Sequence, residues 1–323
     1  MKVLRVLCIV AIGLVIGGCA TAESQQARST RNEYKRLLEL QKQKSAAAAA
    51  IEKETLKKLP EPNAEGYERL GDQYTRQGNV VMAFVQYGKS LQLNSGNAGV
   101  RYKKGRLLLR QGLAGEAMKE FEEILNREPA NALALFGQGL LFLTRNEPAG
   151  AEQKLRRALE LDSTLWQAYA CLGIIYDRQK RFTAALDEYD KALAINPSSA
   201  AVLNNQGMSY YLIGDYEKSV HSFMAALRID RENARIYNNL GLAFAGLGRY
   251  DEAFGAFKNG RNEAGAYNNI GCIYMIEQKY GKATEALQKA MAASPNFYVK
   301  AQENIDRLQV FTERPRAAQE KDP

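Results

Sequence analysis

The stretch "YNNLGLAFAGLGRYDEAFGAF", residues 237–257, decides the fold, because its parts return along the chain at a constant interval. Its Gly241 belongs to a series at 71, 105, 139, 173, 207 and 241, each 34 residues after the last, and Gly271 follows after thirty. Three residues past each glycine stands an aromatic residue or Leu: Tyr74, Leu108, Phe142, Tyr176, Tyr210, Phe244, Tyr274. Twelve past it come Ala83, Ala117, Ala151, Ala185, Ser219, Ala253 and Ala283, and sixteen past it Tyr87, Phe121, Leu155, Tyr189, Phe223, Phe257 and Leu287. Most copies also carry an aromatic residue or Leu four before the glycine (Tyr67, Leu203, Tyr237, Tyr267). Self-similarity at a fixed period is the mark of a repeat array.

Within each copy the apolar spacings of three and four place one helical face on a core, and the break before "GRYDEA", "GDYEKS" or "QKRFTAA" is a turn. Each copy is therefore a helical hairpin. The small Gly and Ala rows mark close helix approach, and the aromatic sixteen residues on fills the adjoining space. One hairpin cannot bury both of its faces, so hairpins stack on their neighbours.

These rows, with Pro129, Pro197 and Pro295 closing three copies, resemble the tetratricopeptide repeat over residues 64–297. The resemblance implies an all-α, right-handed solenoid of seven hairpins (64–97, 98–131, 132–165, 166–199, 200–233, 234–263, 264–297). Aligning "FGAFKNGRNEAGAYNN" with its neighbours puts the four-residue loss of the sixth copy after Gly260, which predicts a tighter or rotated seventh hairpin. In "NFYVKAQENIDRLQVF", Tyr298, Ala301, Ile305 and Leu308 have helical spacing, as a capping helix over 298–311 requires. The polar "TERPRAAQEKDP", 312–323, reads as a disordered tail.

At the other end, Lys2 and Arg5 precede an apolar run from Val6 to Ile16, far short of the roughly 20 residues of a spanning helix. This reads as an export signal over 1–18. Its end, "LVIGGCA", resembles a bacterial lipobox, which implies a covalent lipid on Cys19 as the first mature residue. Multiple acyl chains anchor a protein without a spanning helix. Ala20, in place of Asp, implies the outer membrane under the enterobacterial sorting rule. Residues 19–63, with "SAAAAAIEKETLKKL" and then Pro60 and Pro62, read as a partly helical spacer. The expected localisation is an outer-membrane lipoprotein facing the periplasm.

With 46% hydrophobic and 25% charged residues the chain can bury a core. The net charge of +8 is spread without blocks, which argues against nucleic acid as a partner. Cys171 and Cys272, about three repeats apart, are expected as unpaired thiols. No catalytic site is expected: the single histidine, His221, has no nucleophile or ligand set around it, and the glycines obey the period and not a phosphate-loop spacing. Neither a cofactor nor a small-molecule substrate is implied.

First helices of stacked hairpins line a concave groove, so the residues two before each repeat glycine bear on binding. They are Arg69, Lys103, Gly137, Cys171, Asn205, Asn239 and Asn269; the first four share no chemistry and the last three are amides. Asn204, Asn238 and Asn268 precede them. A primary amide can donate to a peptide C=O and accept from a peptide N–H, so amides repeated at the solenoid rise can grip an extended chain. Peptide-binding tetratricopeptide proteins use such a ladder, and Asn205, Asn239 and Asn269 match its slot. The alternative is a solvated or structural amide row, with Asn204, Asn238 and Asn268 capping turns or holding backbone. By position Tyr211, Arg235, Asp177 and Arg178 would add side-chain selectivity.

Lipobox, spacer, array and the closing "AYNNIGCIYMIEQKYGKATEALQKAMAASPNFYVKAQENI" resemble TadD-type lipoproteins of tight-adherence pilus machines, and pilotins of type IV pili. The resemblance implies an adaptor that binds an envelope protein, such as a secretin or pilus component. An adaptor for cell-wall hydrolases or a periplasmic protease, and a self-associating oligomer whose groove takes its own tail, are the other readings.

Overall fold

A computed structural model describes residues 61–294 and 298–319; the export signal, Cys19, the spacer up to residue 60 and Pro295 lie outside the described residues. The described residues form fifteen α-helices and no strand, in agreement with the all-α expectation. They fall into two compact units divided between Ser163 and Thr164. The first holds α1 (Ala64–Arg76), α2 (Val80–Leu93), α3 (Ala98–Arg110), α4 (Ala114–Arg127), α5 (Ala132–Thr144) and α6 (Pro148–Leu161), which pair into three hairpins. The second holds α7 (Trp166–Arg178), α8 (Phe182–Ile195), α9 (Ala200–Ile213), α10 (Tyr216–Ile229), α11 (Ala234–Gly246), α12 (Tyr250–Gly260), α13 (Glu263–Ile276) and α14 (Tyr280–Ala293), four hairpins closed by α15 (Tyr298–Gln319).

Local chemistry sets the ends of these helices. Asn63, Asn97, Asn131, Ser199, Asn233 and Asn262 precede first helices, and each side chain accepts a backbone N–H of the first turn, as Asn97 does from Val100 at 3.0 Å. All seven hairpin turns pass through one left-handed residue, at 78, 112, 146, 180, 214, 248 and 278. Four of these are glycine; Asn146, Lys180 and Gln278 hold φ near +60° against the steric cost of a Cβ. The next residue then donates its N–H to the carbonyl five before it, which is always that of the aromatic or Leu of the three-past-glycine row, as in Arg181 to Tyr176 at 2.9 Å.

Packing follows the period. The alanine and serine row twelve past the glycine is fully buried, and the large side chains sixteen past are at most 2% exposed. Each repeat glycine lies against the large side chain of its own hairpin: a Cβ at Gly173 would meet the Tyr189 ring at 2.4 Å, and one at Gly271 would meet Leu287 at 2.8 Å. The glycine row is therefore the imprint of the ring row.

The sixth hairpin departs from the others. Its second helix, α12, has 11 residues where the preceding second helices have 14, and only Arg261 and Asn262 link it to α13. Gly260, at its end, stands where the alanines 158, 192 and 226 stand in earlier hairpins; here a Cβ would meet the Ala234 carbonyl oxygen at 2.9 Å and Asn238 Oδ1 at 3.2 Å. The short link draws the helix end onto α11, and only glycine fits.

Beyond α14, Ala301 of α15 is fully buried with Leu287 and Ala290, and Ile305 packs beside them. This helix runs to Gln319, past the expected end at 311, so residues 312–319 continue the helix where a disordered tail was expected. Apart from Thr312 and Pro315 they are good helix formers that extend a helix already seeded by its packed first half.

Candidate functional site

The doubled asparagines sit on first helices of the second unit, at α9, α11 and α13, one turn before the point where glycine meets ring. Asn239 Nδ2 donates to Asn204 Oδ1 at 2.9 Å, joining the fifth hairpin to the sixth. Asn204 Nδ2 lies 3.5 Å from Asn205 Oδ1. At the far end Asn304 of α15 donates to Asn268 Oδ1 at 3.0 Å and to Cys272 Sγ at 3.4 Å, taking the place that a further hairpin's asparagine would hold.

The same clasp exists in the first unit with different chemistry. Lys103 Nζ reaches Glu68 at 2.7 Å and Asp72 at 2.8 Å. Glu68 and Lys103 occupy the slots of Asn204 and Asn239, 35 residues apart in both cases. Lys103, in one of the first four slots, thus makes an ionic version of the amide clasp. At Gly137 no clasp is possible, because a Cβ there would meet the Phe121 ring of the preceding hairpin at 2.6 Å. The signal that would have revealed the clasp is complementarity between residues 35 apart, and not identity within one column.

The shortened junction breaks the pattern. Asn238 and Asn269 hold the corresponding slots across it, yet Asn238 Oδ1 is buried without a hydrogen-bond partner and Asn269 makes no side-chain hydrogen bond among the described residues. Asn205, Asn239 and Asn269 are all half-buried.

The flanking candidates separate into inward and outward groups. Asp177 is corrected from a selectivity residue to a junction residue: it accepts from Tyr189 Oη and from Ser209 Oγ, both at 2.7 Å, and so ties α7, α8 and α9 together. Burial raises its carboxyl above the ordinary value, against the opposing pull of these two hydrogen bonds. Tyr211 packs on the core of the second unit with its ring 5.5 Å from Tyr216. Arg178 and Arg235 are exposed.

Helical periodicity places Met208 and Leu212 on the face of Asn205, Leu242 and Gly246 on that of Asn239, and Cys272 and Ile276 on that of Asn269. Leu212 is 42% and Ile276 44% exposed. An amide row beside an apolar strip can hold a backbone by hydrogen bonds while taking up apolar side chains. Burial pushes the Cys272 thiol up to about 11, so it stays protonated, and neither Cys171 nor Cys272 forms a disulfide. Among the described residues no group of three or more His, Cys, Asp or Glu is arranged to hold a metal ion, and no helix is long and apolar enough to cross a membrane.

Tetratricopeptide repeat family profiles match residues 102–165, 166–199 and 264–297, and a TPR repeat profile matches 207–248, together more than half of the chain. The type IV pilus assembly protein PilF of Pseudomonas aeruginosa is 37% identical over 81 residues, 25% of this chain and 32% of that protein. A TPR repeat-containing protein of Methanocaldococcus jannaschii is 26% identical over 182 residues, 50% of this chain and 32% of its own length. The chain thus spans about a third of the length of these curated relatives. Among solved structures, PilW, a widely conserved type IV pilus biogenesis factor, superposes with a TM-score of 0.53 at 18% identity, covering 60% of this chain and 90% of that one. Pseudomonas aeruginosa PilF gives 0.52 at 19% identity, over 65% and 97%. At such identities these superpositions speak for the fold. Period, hairpins, packing rows and profile matches agree: the chain belongs to the tetratricopeptide repeat proteins.

Proposed function

We propose that this protein is a lipid-anchored adaptor of the bacterial envelope that captures an extended segment of another envelope protein, in the assembly of a pilus or a secretin-type machine. The observation that carries this reading is the 37% identity, over 81 residues, with the type IV pilus assembly protein PilF. The amide row of Asn205, Asn239 and Asn269 beside the apolar Leu212 and Ile276 supports capture of a chain through its backbone. The lipobox-like "LVIGGCA" supports a lipid on Cys19 and an outer-membrane address facing the periplasm. Arg178 and Arg235, exposed near the row, would select among bound side chains.

The test is a crosslinked pull-down of the full chain from envelope fractions with partners identified by mass spectrometry. A pilus or secretin component is expected to be recovered, and to be lost when Asn205, Asn239 and Asn269 are changed together to Ala in a chain that keeps its helical signal. Recovery of cell-wall hydrolases in its place, or undiminished capture by the triple variant, would overturn the reading. Cys19→Ser is expected to move the protein from the membrane to the soluble fraction.

A further inference from the structure

The first unit carries a second surface that the amide row does not explain. On α1 and α3, the helical face of Arg69 and Lys103 also presents Arg76, Arg106 and Arg110. All four arginines are exposed, and Arg76, Arg106 and Arg110 have no ion pair within the described residues. Arg69 has only a long contact of 3.9 Å with Glu65, both side chains more than 70% exposed. The second helices of the same unit behave differently: Arg127 pairs with Glu123, Arg156 with Glu152 and Arg157 with Glu160, each at 3.0 Å or less.

The acidic groups of this face do not neutralise it, because Glu68 and Asp72 are taken by Lys103. A cation at the carbonyl end of a helix is favourable in itself, which accounts for Arg76 and Arg110 at the ends of α1 and α3. Arg69 and Arg106 stand in mid-helix, outside the reach of the helix ends; Arg106 lies 5.9 Å from the centre of the Tyr102 ring, an attraction that leaves its charge exposed. Arg69, Asp72, Gln73 and Arg76 line one open depression along α1.

We infer that this arginine face binds an acidic, extended segment of a partner protein through its carboxylates. Guanidinium forks match carboxylates with two parallel hydrogen bonds. Arg106 and Arg110 lie one helical turn apart, roughly 6 Å, close to the roughly 7 Å between alternate residues of an extended chain. A discrete segment suits this face better than an anionic membrane: Lys103 offsets only one of the two charges of Glu68 and Asp72, and a segment with spaced carboxylates can set them against the arginines alone, which a continuous anionic plane cannot.

The test is fluorescence anisotropy of the full chain with a labelled peptide of alternating Glu and Ser, and with its Gln–Ser counterpart. The Glu peptide is expected to bind at about 50 mM salt and to weaken steeply by about 300 mM, with no binding of the Gln peptide. Arg76→Gln/Arg106→Gln/Arg110→Gln should weaken it at least about tenfold. Lys119→Gln/Arg127→Gln/Arg157→Gln, the same charge change on second helices, should leave it within about twofold. Equal loss in both triple variants, no binding at low salt, or arginine-dependent binding of phosphatidylglycerol vesicles without peptide binding would overturn the inference. Asn205→Ala/Asn239→Ala/Asn269→Ala should retain Glu-peptide binding, which separates failure here from failure of the amide row.

Discussion

Replacing Gly173 by alanine perturbs the packing where it is tightest. The added Cβ would lie 2.4 Å from Tyr189 Cε1 and 2.7 Å from Cδ1 and Cζ, inside the 3.0 Å that real Cβ contacts respect. The ring cannot swing aside freely: Tyr189 is fully buried, and its hydroxyl is held by Asp177 at 2.7 Å, which Ser209 holds in turn at 2.7 Å. Overpacking of this kind costs about 1–3 kcal/mol, and a strained hydroxyl bond adds about 1 kcal/mol. The helix-propensity gain from Gly to Ala offsets about 1 kcal/mol. The expected net loss is about 1–3 kcal/mol, read as a lower urea midpoint by far-UV circular dichroism. Gly255→Ala, in α12, is the internal control: no atom lies within 4 Å of its added Cβ, so propensity alone acts and a gain of about 0.5–1 kcal/mol is expected. Combining Gly173→Ala with Tyr189→Leu, the side chain that Leu155 and Leu287 supply at this slot, should show coupling of at least about 1 kcal/mol relief. If Gly173→Ala is as stable as the parent, or Gly255→Ala loses as much, the glycine row is not set by the rings.

Three further outcomes follow from particular contacts. Asn239→Ala breaks the 2.9 Å clasp to Asn204 and should cost about 0.5–1.5 kcal/mol in urea, whereas Asn269→Ala, which removes no hydrogen bond, should cost less than about 0.5 kcal/mol; equal costs would refute the clasp. Lys180→Gly and Gln278→Gly relieve a left-handed residue and should each raise the thermal midpoint by the equivalent of about 0.5–1 kcal/mol, while Gly112→Ala and Gly248→Ala should lower it. Asp177 has a folded pKa raised above its ordinary value of 3.8, so the folded state binds its proton more tightly. Its contribution is fully present below the ordinary value and is lost as pH rises through the raised one. The stability of the parent relative to Asp177→Asn should therefore fall as pH rises from below 3.8 through the raised folded value, and a flat difference in paired urea melts would contradict the shift.

The sequence by itself determined the hairpin, its length and its packing rows. These rest on spacings of three, four and thirty-four that any helix of this register must present to its partner, so Gly173, Ala185 and Tyr189 carried their roles in plain text. Even the shortened sixth copy was visible after Gly260. The site was less legible. Asn204 and Asn239 looked like members of two separate rows, and only the placement of one hairpin on the next made them a bonded pair; Lys103 and Glu68 do the same work without sharing a residue type with them. Asp177 reads as a polar residue near a groove, and its commitment to Tyr189 and Ser209 depends on three helices meeting. The last helix passed its expected end for the same reason in reverse, since its packed first half seeds the polar residues that follow. Periodicity is a local property of one chain segment, and each clasp depends on the relative placement of two. A loss of four residues, shared between the end of α12 and the link after it, left the spacings of the remaining helical residues intact, yet it left Asn238 and Asn269 without the bond that their counterparts make.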